Sequence, residues 1–215
     1  MMRIFMGIIL LVVVSCNTSE FDRVVLRDGD ILFRGNTSDS LSQAINDVTQ
    51  TSEGTNYSHM GVVDIEDDSV YVIHASSENG VVREPLKEFK SVKNKGKRDV
   101  VAYRVDSQIF VDFDDVLLAA EALIGEPYNF TYILEDTGYY CSEFVYTIFE
   151  DFGVFELESM TFKSANSGEF PKAWIDHYKE LGIDIPEGLP GCNPNGMANS
   201  PKLKILGRVT EDQIQ

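Results

Sequence analysis

The chain has 215 residues, enough for one domain with a sizeable core and short for two. Hydrophobic residues at 43% and charged residues at 25% are those of an ordinary globular protein. A net charge of -17, spread along the chain, repels phosphate backbones and excludes nucleic acid as an expected partner.

The first residues differ from the rest. Arg3 gives a short positive start, and Ile4 to Val14 are apolar apart from Gly7. This run is too short to span a bilayer and has the build of a secretory signal segment. Its ending, Val13-Val14-Ser15-Cys16, resembles a bacterial lipobox, in which the Cys becomes the lipidated first residue of the mature protein. The expected organisation is a signal peptide at 1–15, a lipidated tether at 16–23 and one folded domain at 24–215. Acyl chains on Cys16 anchor the protein to a bacterial membrane, and the expected place is the outer membrane, facing the periplasm or the surface. Only Cys141 and Cys192 then remain as thiols, too few for a disulfide framework.

Asp28-Gly29-Asp30 reads as a turn, followed by a short strand at Ile31 to Arg34. Leu41, Ala44, Ile45 and Val48 have helical spacing within Ser40 to Thr49. Tyr57 to Ile65 and Val70 to Ala75 form a hairpin, with Glu66-Asp67-Asp68 as its turn. Val81-Val82 and Val100 to Val105 are further strands, separated by a basic loop with Lys93, Lys95, Lys97 and Arg98. Asp114 to Ile124 is a helix with Val116, Leu117, Ala120, Leu123 and Ile124 inward and Gly125 as its stop. A second helix begins at Cys141 and ends at Gly153, with Phe144, Ile148 and Phe152 on one stripe. A third runs from Pro171 to Gly182. Pro186 to Pro201 reads as a long ordered loop, and Leu203 to Val209 as the last strand. Strands first and helices after them make an α+β domain.

Cys141 is the first residue of its helix. The free N–H groups and partial positive charge there favour a thiolate and are placed to hold an oxyanion. The competing reading is a buried structural Cys. The thiol is expected to titrate below its usual ~8.5, with Cys192 as a reference. His59 and His74 lie on the two strands of the hairpin. A turn centred between Glu66 and Asp67 puts them directly opposite each other, with Cβ atoms ~5 Å apart. That arrangement suits a base and an orienting partner. His177, between Trp174 and Tyr178, reads as a surface or flank residue.

These segments resemble a family. Asp28-Gly29-Asp30-Ile31-Leu32-Phe33, Ser58-His59-Met60-Gly61-Val62-Val63, Val72-Ile73-His74-Ala75 and Tyr140-Cys141-Ser142-Glu143-Phe144-Val145-Tyr146 look like the permuted papain-like amidases, or YiiX-like proteins. These are the circularly permuted branch of the NlpC-type papain superfamily. The similarity runs from about Asp28 to Pro201 and includes Gly125-Glu126-Pro127-Tyr128 and Pro190-Gly191-Cys192-Asn193-Pro194. The order His then Cys is the mark of the permutation. The resemblance implies a small antiparallel β-sheet or barrel followed by a Cys-bearing helix. It implies Cys141 as nucleophile, His59 as base and His74 as the third polar residue, where many YiiX-like sequences have Glu.

The expected function is a cysteine hydrolase that cleaves an amide through a thioester, with a cell-wall or other small peptide as substrate. Tyr128 and Tyr140 are candidates for lining the cleft, and no cofactor is expected. Two alternatives stay open. One is an acyltransferase or lipid ester hydrolase of the lecithin–retinol acyltransferase type, a more distant permuted relative. The other is a non-catalytic zinc-binding lipoprotein with Cys141, His59 and His74 as ligands, although their spacing matches no local zinc pattern. No Gly-rich phosphate loop or Gly-x-Ser-x-Gly elbow is present.

Overall fold

Strand signals turn into strands close to where the alternation of apolar residues places them. The computed structural model describes residues 24–35, 40–49, 51, 55–92, 96–97 and 99–210. Residues 1–23, on which the expected signal peptide, lipidated Cys16 and tether fall, and Lys93, Lys95 and Arg98 of the basic loop lie outside the described residues.

In chain order the elements are β1 (Ile31–Gly35), α1 (Ser40–Thr49), β2 (Tyr57–Glu66), β3 (Ser69–Ser76), β4 (Gly80–Pro85), α2 (Leu86–Lys90), β5 (Ser91–Val92), β6 (Gly96–Lys97) and β7 (Val100–Val105). Then follow α3 (Phe113–Ala122), α4 (Cys141–Phe149), a 3-10 turn (Glu150–Phe152), β8 (Glu158–Ser159), α5 (Lys172–Leu181), β9 (Pro190–Gly191), α6 (Pro194–Ala198) and β10 (Leu203–Arg208). Six strands pair antiparallel in the order β10-β7-β1-β2-β3-β4. No helix among the described residues is long and apolar enough to cross a membrane.

Strand alternation gives the sheet two apolar faces. Ile31, Phe33, Met60, Val62, Ile73 and Ala75 join Phe144, Val145 and Ile148 of α4 and Val116 and Ala120 of α3 in one core. Leu32, Val63, Val72, Val100 and Ala102 face the other way, where Leu86 and Phe89 of α2 cover them. The sequence reading missed α2. It also placed Ile124 inward, but α3 stops at Ala122 and Ile124 is exposed.

The Asp28-Gly29-Asp30 turn is held from several sides. Asp30 is 1% exposed and accepts two 2.7 Å hydrogen bonds from the Arg104 guanidinium and one of 2.8 Å from the Arg27 amide. Gly29 has φ 78, and a Cβ there would meet the Phe113 ring at 1.9 Å, so only glycine fits.

The 186–201 loop is shorter than expected, because β9 and α6 form within it. It is pinned by Asn195, which is fully buried. Its side chain accepts from the Tyr57 amide at 2.8 Å and donates to the Tyr57 carbonyl at 3.0 Å and to Thr49 Oγ1 at 2.7 Å. One side chain thus completes the backbone pairing at the start of β2, two residues before His59.

Candidate active site

Cys141 opens α4, as its position in the sequence implied. Tyr140 is the N-cap, and its amide donates to Glu143 Oε2 at 3.0 Å. Asn129 Nδ2 donates to the same oxygen at 3.2 Å. Burial raises the Glu143 carboxyl from 4.5 to about 7, against the lowering effect of those two donors. The helix start that carries Cys141 is therefore fixed by a buried carboxyl group.

The β2–β3 ladder runs from Glu66↔Ser69 to Val62↔Ile73 and stops there. Cys141 comes in beyond that end. The backbone of Met60, the residue after His59, lies near enough to the Cys141 sulfur to favour the thiolate. The thiol is pushed up to about 11, because burial outweighs the lowering by Met60, by Ser142 and by the Arg34 charge. This reverses the expectation from the helix N-terminus alone: desolvation of a thiolate exceeds what a few amides and a distant cation return.

The two histidines meet, but not as direct partners. The hairpin turn is centred between Asp67 and Asp68, both at positive φ (47 and 62), so β2 extends one residue further than read. His59 and His74 are then diagonal neighbours, with Gly61 at the register position opposite His74. The change of register is by an even number of residues, so both rings stay on one face. His59 Nε2 lies 2.8 Å from His74 Nδ1, and both rings pack on Phe89.

A residue that the sequence reading missed extends this line. His74 Nε2 is 3.0 Å from Glu84 Oε1, at ion-pair distance though out of line for a hydrogen bond. Val82 is the register partner of His74 on β4, and Glu84 is the next residue on that face. The diagonal rule that relates His59 to His74 therefore finds Glu84 as well, once β4 is read past Val82. Burial lowers the His74 pKa, and Glu84 opposes this only in part. The ring is neutral near pH 7.

Cys192 is not remote from the site. Ser142 Oγ donates to the Cys192 carbonyl at 3.0 Å, and the Cys192 amide donates to Tyr140 Oη at 3.3 Å. Both thiols are free. Cys192 lies with Cys141, Tyr128 and Tyr140 on the wall of one cavity, so it is a neighbour and not a distant reference. Tyr140 is 2% exposed and also belongs to the core. His177 Nε2 donates to the Phe130 carbonyl at 2.7 Å, and its ring packs against Tyr132 and Trp174.

A helix-starting thiol packed on an antiparallel sheet, with paired imidazoles on strands that come earlier in the chain, defines a papain-like fold in permuted order. The model of the permuted papain-like amidase enzymes, the YaeF/YiiX, C92 family, matches residues 25–207, and the chain belongs to that family. It is 29% identical over 182 residues to YiiX of Escherichia coli strain K12, an uncharacterized protein, across 84% of this chain and 85% of that one. The crystal structure of metalloprotein yiiX from Escherichia coli O157:H7 is similar at a TM-score of 0.67 and 25% identity, covering 83% of this chain and 95% of that chain.

The histidines here do not fit a metal centre. The facing nitrogens of His59 and His74 are engaged with each other, so they do not converge on one ion. Among the described residues no three His, Cys, Asp or Glu side chains are grouped to hold a metal.

Proposed function

We propose that the chain is a cysteine amidase in which Cys141 attacks the carbonyl of a peptide amide and His59 carries the proton. What supports this most is that Cys141 opens α4, with the Met60 backbone next to His59 near enough to favour its thiolate, in a chain of the permuted papain-like amidase family. Glu84 draws the proton of neutral His74 to Nε2, which leaves His74 Nδ1 as acceptor for the Nε2–H of His59. The basic lone pair of His59 is then at Nδ1. Because the resting thiol is neutral, its proton passes to His59 as the S–C bond forms. The Cys141 N–H, at the helix start, stabilises the oxyanion. His59 gives the proton to the leaving amine as the C–N bond breaks, and water hydrolyses the thioester to release the acid and restore the thiol.

Hydrolysis of N-acyl peptide amides and of acyl lipids by wild type and by Cys141→Ala tests the reading. The expected result is amide turnover by wild type alone. Turnover of lipid esters with no amide cleavage replaces it with the acyltransferase or lipid ester hydrolase alternative.

The lipobox-like Val13-Val14-Ser15-Cys16 supports a second proposal, that the chain is a lipoprotein anchored through Cys16. Intact mass of the native protein is expected to show acyl groups on a chain starting at Cys16. A mature chain starting elsewhere without lipid removes the anchor.

A further inference from the structure

The cavity beside Cys141 measures about 230 Å³. Ile45 and Val48 of α1, Tyr132, Met160, Phe162 and Trp174 make its wall largely apolar. Three other features of that wall stand out chemically. Thr51 Oγ1, Ser58 Oγ and Trp174 Nε1 are buried polar atoms without a hydrogen-bond partner among the described residues. Ser58 is 7% and Trp174 2% exposed. A buried polar group left unsatisfied is costly, and native structures keep few of them. Three on one cavity wall, beside the thiol, point to a ligand that supplies their partners.

The chemistry of that ligand follows from the wall. An indole N–H only donates, so the ligand carries an acceptor oxygen. Among the described residues the wall holds no Lys, Arg or His, and the one charged residue there, Glu158, is exposed. A buried carboxylate or ammonium would find no partner there, which is costly. An apolar cavity of roughly 150 Å³ takes a benzene ring, so this one has room for a ring, a methylene and part of an amide.

We propose that this cavity binds the residue on the acyl side of the scissile amide, and selects an uncharged, apolar side chain of aromatic or leucine size. The neighbouring carbonyl of the substrate accepts hydrogen bonds from Ser58 and Trp174. Acidic and basic residues at that position are excluded. The assignment of the acyl side rests on Cys141 being the nucleophile, and the test reads binding apart from turnover.

Trp174 is the single Trp of the chain, so its fluorescence reports occupancy directly. Cys141→Ala is titrated with N-acetyl-phenylalanine amide, N-acetyl-glutamate amide, N-acetyl-lysine amide and toluene. The phenylalanine amide is expected to give a saturable change, with the two charged amides at least about tenfold weaker and toluene, which lacks the acceptor, about fivefold weaker. Adding Ser58→Ala is expected to weaken the phenylalanine amide about fivefold while raising the melting temperature of the unliganded protein, because a buried hydroxyl without a partner is gone. A purely structural Ser58 would not move the two readouts in opposite directions. Binding of the glutamate or lysine amide as tightly as the phenylalanine amide overturns the proposal, as does an affinity unchanged by Ser58→Ala or the absence of any fluorescence change. Binding as expected with no amide cleavage by wild type would sink the amidase reading alone.

Discussion

His59 Nε2 and His74 Nδ1 are 2.8 Å apart although the two residues are not opposite each other on their hairpin. The diagonal contact depends on Gly61. A Cβ at Gly61 would lie 2.8 Å from His74 Cβ, 2.8 Å from Val72 Cγ1 and 2.9 Å from the Ile73 carbonyl. None of these is the far end of a flexible side chain. Gly61→Ala is expected to destabilise the fold by roughly 1–3 kcal/mol and to displace His74 from His59. Chemical denaturation and turnover measured together check both effects. Unchanged stability and activity show that the strands part without cost and that the glycine has no such role.

The three polar groups of the sheet are expected to rank by their distance from the reacting thiol. His59→Ala removes the proton carrier and lowers kcat by about 10²–10⁴-fold, close to Cys141→Ala, since the two act as one unit. His74→Ala removes only the partner that sets the tautomer, and its effect is smaller. His74→Glu keeps an acceptor for the His59 N–H and retains part of the activity. Glu84→Ala acts one step further out and costs about tenfold or less. A positioning role also shifts the pH profile of kcat, which distinguishes it from simple loss of fold. His74→Ala with wild-type kcat and KM would remove His74 from the site.

The elements that local pattern determines were legible: the strand at Ile31, the helix opened by Cys141 and closed near Gly153, and the His-bearing hairpin. Hairpin register was not, because it turned on which residues take positive φ. Asp67 and Asp68 do so, as a tight two-residue turn requires, and no Gly marks them. The face of each imidazole survived the error because side chains alternate with a period of two. Glu84 was within reach of the same rule but lay past the Val81-Val82 strand as read. The sulfur's contact with Met60 and the approach of Cys192 to α4 are tertiary facts. Like the Asn195 bonds to Tyr57 and Thr49, which span more than a hundred residues, they are encoded by no local periodicity.

The carboxyl of Glu143 makes stability depend on pH. Burial raises it from 4.5 to about 7 in the folded chain, so folding favours its protonated form. Its contribution is fully present below pH 4.5 and is lost as pH rises towards about 7. Glu143→Gln keeps an oxygen for the Tyr140 and Asn129 N–H groups but cannot ionise. Relative to wild type, this variant is expected to be more stable at pH 8 than at pH 4, read as the difference in melting temperature. An equal difference at both pH values shows that Glu143 ionises freely in the folded protein.

The two thiols give the last prediction. Burial pushes Cys141 up to about 11 and Cys192 up to about 12. For Cys141 the Met60 and Ser142 backbones and the Arg34 charge recover part of this. For Cys192 the Tyr140 and Ser142 side chains do so, while Cys141 and Glu143 nearby act against it. With both thiols raised this far, the proposed mechanism has the Cys141 proton pass to His59 in the same step as attack, and not through a preformed ion pair. Alkylation of folded protein by a small uncharged reagent, read site by site by mass spectrometry, is expected to show both thiols unreactive at pH 7. The Cys141 midpoint should come before that of Cys192, because the Met60 and Ser142 backbones and the Arg34 charge favour its thiolate. Arg34→Met is expected to move the Cys141 midpoint up, because a cation that favours the thiolate is lost. Burial slows both sites, so the midpoint and not the absolute rate carries the comparison. Stability follows the same sign: the contribution of Cys141 is present below the ordinary thiol value and is lost as pH rises through about 11. Rapid modification of Cys141 near neutral pH, well ahead of Cys192, means that its thiolate exists before substrate arrives, and the coupled transfer is then wrong.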